Sequence, residues 1–290
     1  MKEKTKAYMA GMMDGDGCFS IFKTEREYSD YRPFVGFTNA YKPVCQWAVE
    51  HFGGTINQQK GFCHHNGYYS KELFHWRLYG RNSVRNFLSS IIPYLREKKE
   101  QAILLLEYIN LDGKINPIKR EELFLRLREM KKLGCVTTEM PNTPEYPKSI
   151  FAYMAGAIDS EGHITIGKDT RKNNTSYNVR VGLTNTFLPL LKSAQVIYGG
   201  GICSAGSKNP KPVSIWYISE KKSIERCILS ILPYLIVKRE RAKLMLDFVR
   251  MQKPYNPTLR ASMYEQITGV KIQSEPTGNC GSVPVGTLAT

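Results

Sequence analysis

The chain has 290 residues, 42% of them hydrophobic, enough for two ordinary domain cores and too much for a disordered chain. A formal charge of +15 and a pI near 9.4 point to a polyanionic partner. A membrane is not expected to be that partner, because no apolar run approaches ~18 residues and no signal-peptide pattern opens the chain.

Residues 2–6 are a basic, polar lead-in to YMAGMMDGDGCFSIF (8–22). This stretch opens as a short helix over about 8–14 with Ala10 and Gly11 in its interior. Glycine costs roughly 1 kcal/mol against alanine there, so its presence predicts that another backbone comes close. Gly17 is expected to take the left-handed conformation that ends many helices. Residues 18–24 read as a strand, with Phe19 and Ile21 on one face and Cys18, Ser20 and Thr24 on the other. A polar turn over 25–31 and a second strand over 32–39 follow. A helix over 43–52 ends at Gly53-Gly54. A ribbon with a long polar turn spans 55–79; its Cys63-His64-His65 lacks a second ligand pair and reads as loop. A short helix over 83–88 and a longer one over 97–110 complete the unit.

The second half repeats this order. YMAGAIDSEGHITI (153–166) answers the opening stretch, with Gly162 in the place of Gly17. VRVGLTN (179–185) answers PFVGFTN (33–39), and IYGGGI (197–202) answers HFGGTI (51–56). IWYIS (215–219) answers HWRLY (75–79), and ILPYLIVKRERA (231–242) answers IIPYLREKKEQA (91–102). The expected organisation is a first unit over 1–115, a linker over 116–148, a second unit over 149–270 and a frayed tail over 271–290. Within the linker, 119–133 is a charged amphipathic helix and 134–148 a proline-containing extended segment. Charge is uneven: 16 basic and 12 acidic residues in 1–115 against 17 and 8 in 149–270. The second unit is therefore expected to supply more of any salt-dependent affinity for a polyanion. Seven cysteines without a C-x-x-C pair read as reduced thiols in a reducing, intracellular compartment; which one the sequence leaves open, an organelle (mitochondrion or chloroplast) and a bacterial cytoplasm both being compatible.

Each copy places two acids at the end of its helix: Asp14 and Asp16, then Asp159 and Glu161. That end is the negative pole of the helix dipole and ordinarily collects Lys or Arg. Packed side by side, the helices bring four carboxylates together, and a divalent metal is the natural counter-charge. MAGMMDGDG and MAGAIDSEG resemble the two signature motifs of the LAGLIDADG homing endonucleases in their monomeric, two-motif form. The resemblance covers nearly all of 7–253. It implies an α/β (α+β) fold of two pseudo-symmetric αββαββα units. The signature helices, each about 7–9 residues and ~10–14 Å long, pack at the interface, and antiparallel sheets form a DNA-binding saddle. It implies a monomer that hydrolyses both strands of a long, roughly pseudo-palindromic double-stranded DNA target, in the service of intron homing. The implied cofactor is Mg²⁺, as two or three ions, with Mn²⁺ or Ca²⁺ substituting for binding. The alternative on the same scaffold is a maturase that binds intron RNA without cutting.

By that resemblance the metal ligands are the second acids, Asp16 and Glu161, with the carbonyls of Gly15 and Ser160 as further ligands. Asp14 and Asp159 are expected to cap or brace the helix ends, direct metal contact being the lesser alternative. In relatives a lysine follows the Pro-aromatic-Leu segment by three residues; Lys98 and Lys238 hold that place. A basic group there stabilises charge at the scissile phosphate; a solvated lysine in a helix's first turn is the competing reading. Asn39 and Asn185 follow the second-strand threonine, where relatives carry a polar residue that orders water. A strand-end turn is the other role open to them. The DNA-reading face would present Ser20, Thr24, Arg32, Thr165, Asn178 and Arg180, with Gln58, Lys60 and Arg77 from the second ribbon. An arginine at such a place serves equally as a phosphate clamp. Because the two halves differ in these side chains, the target is expected to be only roughly palindromic.

Overall fold

The computed structural model describes residues 1–24, 30–63, 69–111, 116–133, 149–171, 174–206, 212–252 and 255–269. The turn at 25–29, His64-His65, the segment 134–148 and the tail 271–290 lie outside the described residues.

The first unit runs α1 (Glu3–Gly15), β1 (Gly17–Thr24), β2 (Asp30–Asn39), α2 (Lys42–Phe52) and β3 (Thr55–Gln59). A two-residue ribbon of β4 (Phe62–Cys63) and β5 (Tyr69–Ser70) leads to β6 (Leu73–Tyr79), α3 (Arg81–Ile91), α4 (Lys99–Asn110) and α5 (Pro117–Leu133). The second unit opens with α6 (Ser149–Glu161), β7 (Gly162–Arg171), β8 (Asn174–Asn185) and α7 (Leu188–Tyr198). It closes with β9 (Gly201–Ser204), β10 (Ser214–Ile218), α8 (Lys221–Ile231), α9 (Arg239–Arg250) and α10 (Pro257–Gly269). Each unit builds a four-stranded antiparallel sheet, ordered β1-β2-β6-β3 and β7-β8-β10-β9. Alternation along the strands sends Phe19, Ile21, Val35, Phe37 and Trp76 into the core in one unit, and Ile164, Val181, Leu183 and Trp216 in the other. The opposite face of each sheet is left to polar and aromatic side chains. Among the described residues no helix is long and apolar enough to cross a membrane.

α1 and α6 pack against each other along the pseudo-twofold axis, and glycine is what lets them. A Cβ on Gly11 would overlap the carbonyl oxygen of Tyr153, and one on Gly156 would overlap that of Tyr8. Backbone meets backbone at both points, as the interior Ala-Gly pairs predict. Both helices have 13 residues, ~20 Å, longer than expected because the lead-ins are helical too and bury Ala7, Ile150 and Ala152. Gly17 and Gly162 do not adopt the left-handed conformation; the described glycines that do include Gly53, Gly54, Gly199 and Gly200. The reason for glycine at 17 and 162 is steric. The strand begins at once and folds back over the last helical turn, so a Cβ would strike Met13 in one unit and Ile158 in the other. The Gly-Gly pairs after α2 and α7 are left-handed, with φ 74° and 96° in one unit and 76° and 91° in the other. They turn a carbonyl toward the core tryptophan: Trp76 Nε1 donates to Gly53 O at 2.9 Å and Trp216 Nε1 to Gly199 O at 2.8 Å.

The repeat reaches one helix further than the sequence reading carried it. α5, read as part of the linker, packs on β1 and α4, just as α10 packs on β7 and α9. Asn116 and Asn256 cap the two helices, accepting from Lys119 N and Leu259 N at 3.0 Å each. Arg120 stacks on Tyr31 at 4.6 Å and Arg260 on Tyr177 at 4.8 Å, pinning each helix to its sheet.

Candidate active site

At the ends of α1 and α6 the first acid of each motif is buried, with Asp14 and Asp159 only 1% exposed. Asp14 accepts from Arg96 N, Lys98 N and the hydroxyl of Tyr153, each at 2.8 Å. Asp159 accepts from Ile236 N at 2.7 Å, Val237 N at 3.1 Å, Lys238 N at 2.8 Å and the hydroxyl of Tyr8 at 2.7 Å. These carboxylates brace the helix ends, as expected of them. They cap the turn before α4 or α9 and tie each signature helix to the tyrosine at the start of the other's motif. Tyr8 and Tyr153 were not singled out in the sequence; their signal was the repetition of tyrosine at the first place of both motifs.

The second acids lie at the junction of the two units. Burial and the negative charge of Glu161 beside it push the Asp16 carboxyl up to about 6, while Lys238, Lys98 and a hydrogen bond from Asn39 oppose the rise. Asp16 and Glu161 therefore share one electrostatic site, with both lysines at its rim. Lys98 Nζ donates to the carbonyls of Met13 at 3.1 Å, Gly15 at 2.5 Å and Gly17 at 2.9 Å. Lys238 Nζ donates to Ile158 O and Asp159 O, both at 2.6 Å. The cation that a helix C-terminus ordinarily collects is thus supplied from a distant turn, which accounts for acids at the negative pole. Lys238 is the more enclosed of the two, 8% exposed, and burial pulls its ammonium below the ordinary lysine value. The Gly15 carbonyl is engaged by Lys98, and Ser160 Oγ turns back to Gly156 O and Ala157 O at 3.1 and 3.0 Å.

Asn39 and Asn185 make the strand-end turns that were one of the roles open to them. Their Oδ1 atoms accept from the backbone two residues on, Tyr41 N at 2.9 Å and Phe187 N at 2.6 Å, making strand-end turns. Their amides meanwhile face the site. Asn39 lies beside Asp16 and favours its charged form, and Asn185 Nδ2 donates to Glu97 Oε2 at 3.0 Å. Glu97 escaped the sequence reading because the repeat offers Val237 in its place. Its carboxyl is pushed up to about 7, first by burial and with help from Asp14 and Glu161. Among the described residues no group of three or more His, Cys, Asp or Glu has metal-holding geometry. A hydrated divalent ion fits nonetheless, because Asp16 and Glu161 hold like charge together that Lys98 and Lys238 offset only in part, and Mg²⁺ needs few carboxylates.

The pairing registers decide which recognition candidates share a face. Ser20 opposes Phe34, Phe22 opposes Arg32 and Thr24 opposes Asp30, while Thr165 opposes Arg180 and Gly167 opposes Asn178. Ser20, Arg32, Thr165, Asn178 and Arg180 therefore lie on the outward faces, as does the Thr24 register position. Arg77 opposes Gly36 on the same face, where its guanidinium donates to Phe37 O and Trp76 O and lies over Phe34. Arg180 is stacked on Tyr217 at 4.8 Å. Gln58 opposes core-facing Phe74 and donates to Glu72, so it stands in the opposite phase from Arg77. Lys60 lies beyond the end of β3. The outward neighbours on that ribbon are Asn57, Gln59 and His75; His75 hydrogen-bonds Thr38 at 2.8 Å and Gln59 at 3.1 Å.

No protein-family model matches the sequence, and no curated protein matches it. Solved structures do. I-SmaMI bound to an uncleaved DNA target in the presence of calcium ions is similar at TM-score 0.72 and 14% identity, over 91% of this chain and 97% of that one. The LAGLIDADG homing endonuclease I-GzeII in complex with its DNA target gives TM-score 0.70 and 17% identity, over 90% of this chain and 97% of that one. The I-SmaMI LAGLIDADG homing endonuclease bound to cleaved DNA gives 0.68 and 13%, over 90% and 95%. The likeness runs through both units, and the chain has the double-motif LAGLIDADG fold.

Proposed function

We propose that this chain is a site-specific, Mg²⁺-dependent DNA endonuclease that hydrolyses both strands of a long, only roughly palindromic target. The observation that carries the reading is the meeting of Asp16 and Glu161, one from each unit, at the end of a seam that only glycine permits. Two outward sheet faces with side chains suited to base edges and phosphates flank that point, and the net charge of +15 suits a polyanion.

Asp16 and Glu161 would hold the metal, with the Ser160 carbonyl beside them and the Gly15 carbonyl shared with Lys98. When bound, the metal supplies Lewis acidity at the phosphate and lowers the pKa of water. Asn39 and Asn185 orient their amides into the site, and Lys98 and Lys238 place positive charge beside it. Asp14 and Asp159 fix the turns that carry those lysines. The sheets set register on the duplex through Arg32, Arg77 and Arg180, together with Ser20, Thr165 and Asn178.

The test is a cleavage screen on randomised double-stranded DNA with Mg²⁺ and then with EDTA. Asp16→Asn and Glu161→Gln are each expected to lower double-strand cleavage by at least about a hundredfold while leaving DNA affinity within a few-fold. Wild-type protein that binds RNA tightly and cuts no DNA in any divalent metal would overturn the reading in favour of a maturase.

A further inference from the structure

The two halves of the site differ at the position of Glu97 and Val237. In the first unit Asn39 lies beside Asp16 of the same unit and favours its charged form. In the second, Asn185 reaches across the seam, and its Nδ2 donates to Glu97 Oε2 at 3.0 Å. Glu97 stands on the turn before α4. The matching place before α9 holds Val237, which carries no acceptor. Glu97 lies close enough to Asp14 and Glu161 for both charges to act on it. A brace alone is provided without that like-charge cost by valine in the other unit. What Glu97 offers that valine cannot is an acceptor for the Asn185 amide.

We propose that Glu97 is a positioning residue for the Glu161 half of the site, holding Asn185 from across the seam, and that it makes the two strand-cleavage steps unequal. Asn185 Oδ1 is fixed by Phe187 N at 2.6 Å, so the contact with Glu97 locks the remaining end of the amide. Asn185 is 9% exposed, and its orientation is decided by these partners rather than by bulk water. The strand-cleavage consequence rests on the endonuclease reading above; the hold on Asn185 does not.

The experiment uses the full chain with Glu97→Val, copying the second unit, and Glu97→Gln, which keeps an acceptor. Each strand of a target duplex is end-labelled separately and its nicking rate followed in Mg²⁺. Glu97→Val is expected to slow one strand about tenfold and leave the other within about twofold, with Glu97→Gln restoring most of the loss. In parallel, the Asn185 side-chain amide is followed by NMR in the metal-free protein. Its hydrogen exchange is expected to be slow in wild type and Glu97→Gln and to speed up in Glu97→Val. An unchanged ratio of strand rates overturns the catalytic consequence. Unchanged Asn185 exchange overturns the positioning role itself, whether or not the protein cuts DNA. Absence of cutting by wild type, with the exchange change present, removes the endonuclease reading and leaves the positioning role standing.

Discussion

Burial and the charge of Glu161 hold the Asp16 carboxyl near 6, so at neutral pH the folded protein carries this carboxylate under strain. A carboxyl raised on folding adds stability that is fully present below its unfolded value near 3.8 and is lost as pH rises through about 6. Glu97 acts in the same sense, its window reaching about 7. Metal-free Asp16→Asn is therefore expected to be more stable than wild type at pH 8, by on the order of 1–2 kcal/mol, with the gap closing toward pH 4. Thermal melts in EDTA across that range check it, and equal melting temperatures at pH 8 would refute it. Mg²⁺ should raise the wild-type transition more than that of Asp16→Asn. The first acids behave differently. Tyr8→Phe and Tyr153→Phe each remove a donor from a buried carboxylate and are expected to cost about 1–3 kcal/mol in urea unfolding. Here the sequence was readable only in part. Acids at the wrong pole of a helix announced a special role, but the donors to Asp14 include Arg96 N and Lys98 N, 82 and 84 residues away. Nothing local to the motif points to that turn. Glu97 was hidden for the opposite reason, since a search by repetition is blind to the one position where the repeat fails.

At the scale of elements, the seam between α1 and α6 fixes how Asp16 and Glu161 meet. Its contacts are backbone on backbone, so a side chain at Gly11 or Gly156 has no rotamer that avoids the partner helix. Gly11→Val is expected to cost about 3 kcal/mol or more in denaturant unfolding, beyond the usual range for overpacking because backbone must move. DNA cutting should fall with it, since Asp16 and Glu161 would separate. An unfolding midpoint within error of wild type would show that the helices can part without loss. These small residues were legible because a strong helix former is given up twice at the same place. The helix length was not, because a lysine-rich lead-in looks like solvent-exposed chain until Ala7 is seen to be buried. Strand registers were legible from alternation where core residues alternate cleanly, as in β1. They were less legible in β3, where Ile56 alone of Thr55 to Gln59 is apolar and the polar Gln58 shares its side of the sheet, opposite Phe74.

At the scale of the molecule, the two units share more than a boundary. α1 and α6 each contribute buried residues to one continuous core that includes Trp76 on one side and Trp216 on the other. Each unit also completes the other's buried polar groups, through Tyr8 on Asp159 and Tyr153 on Asp14. Parting the units would expose the apolar flanks of both signature helices and strand two buried carboxylates short of a donor each. The folded state is therefore expected to open as one cooperative body rather than unit by unit, although each half has its own sheet and helices. Native-state hydrogen exchange in increasing urea tests this without any substitution. The slowest amides of α4 and of α9 should converge on the same opening free energy and the same urea dependence. If α9 opens at a distinctly lower free energy than α4, the units fold independently. Asp16 and Glu161 would then be held together by docking alone, and the site would form only when the seam closes.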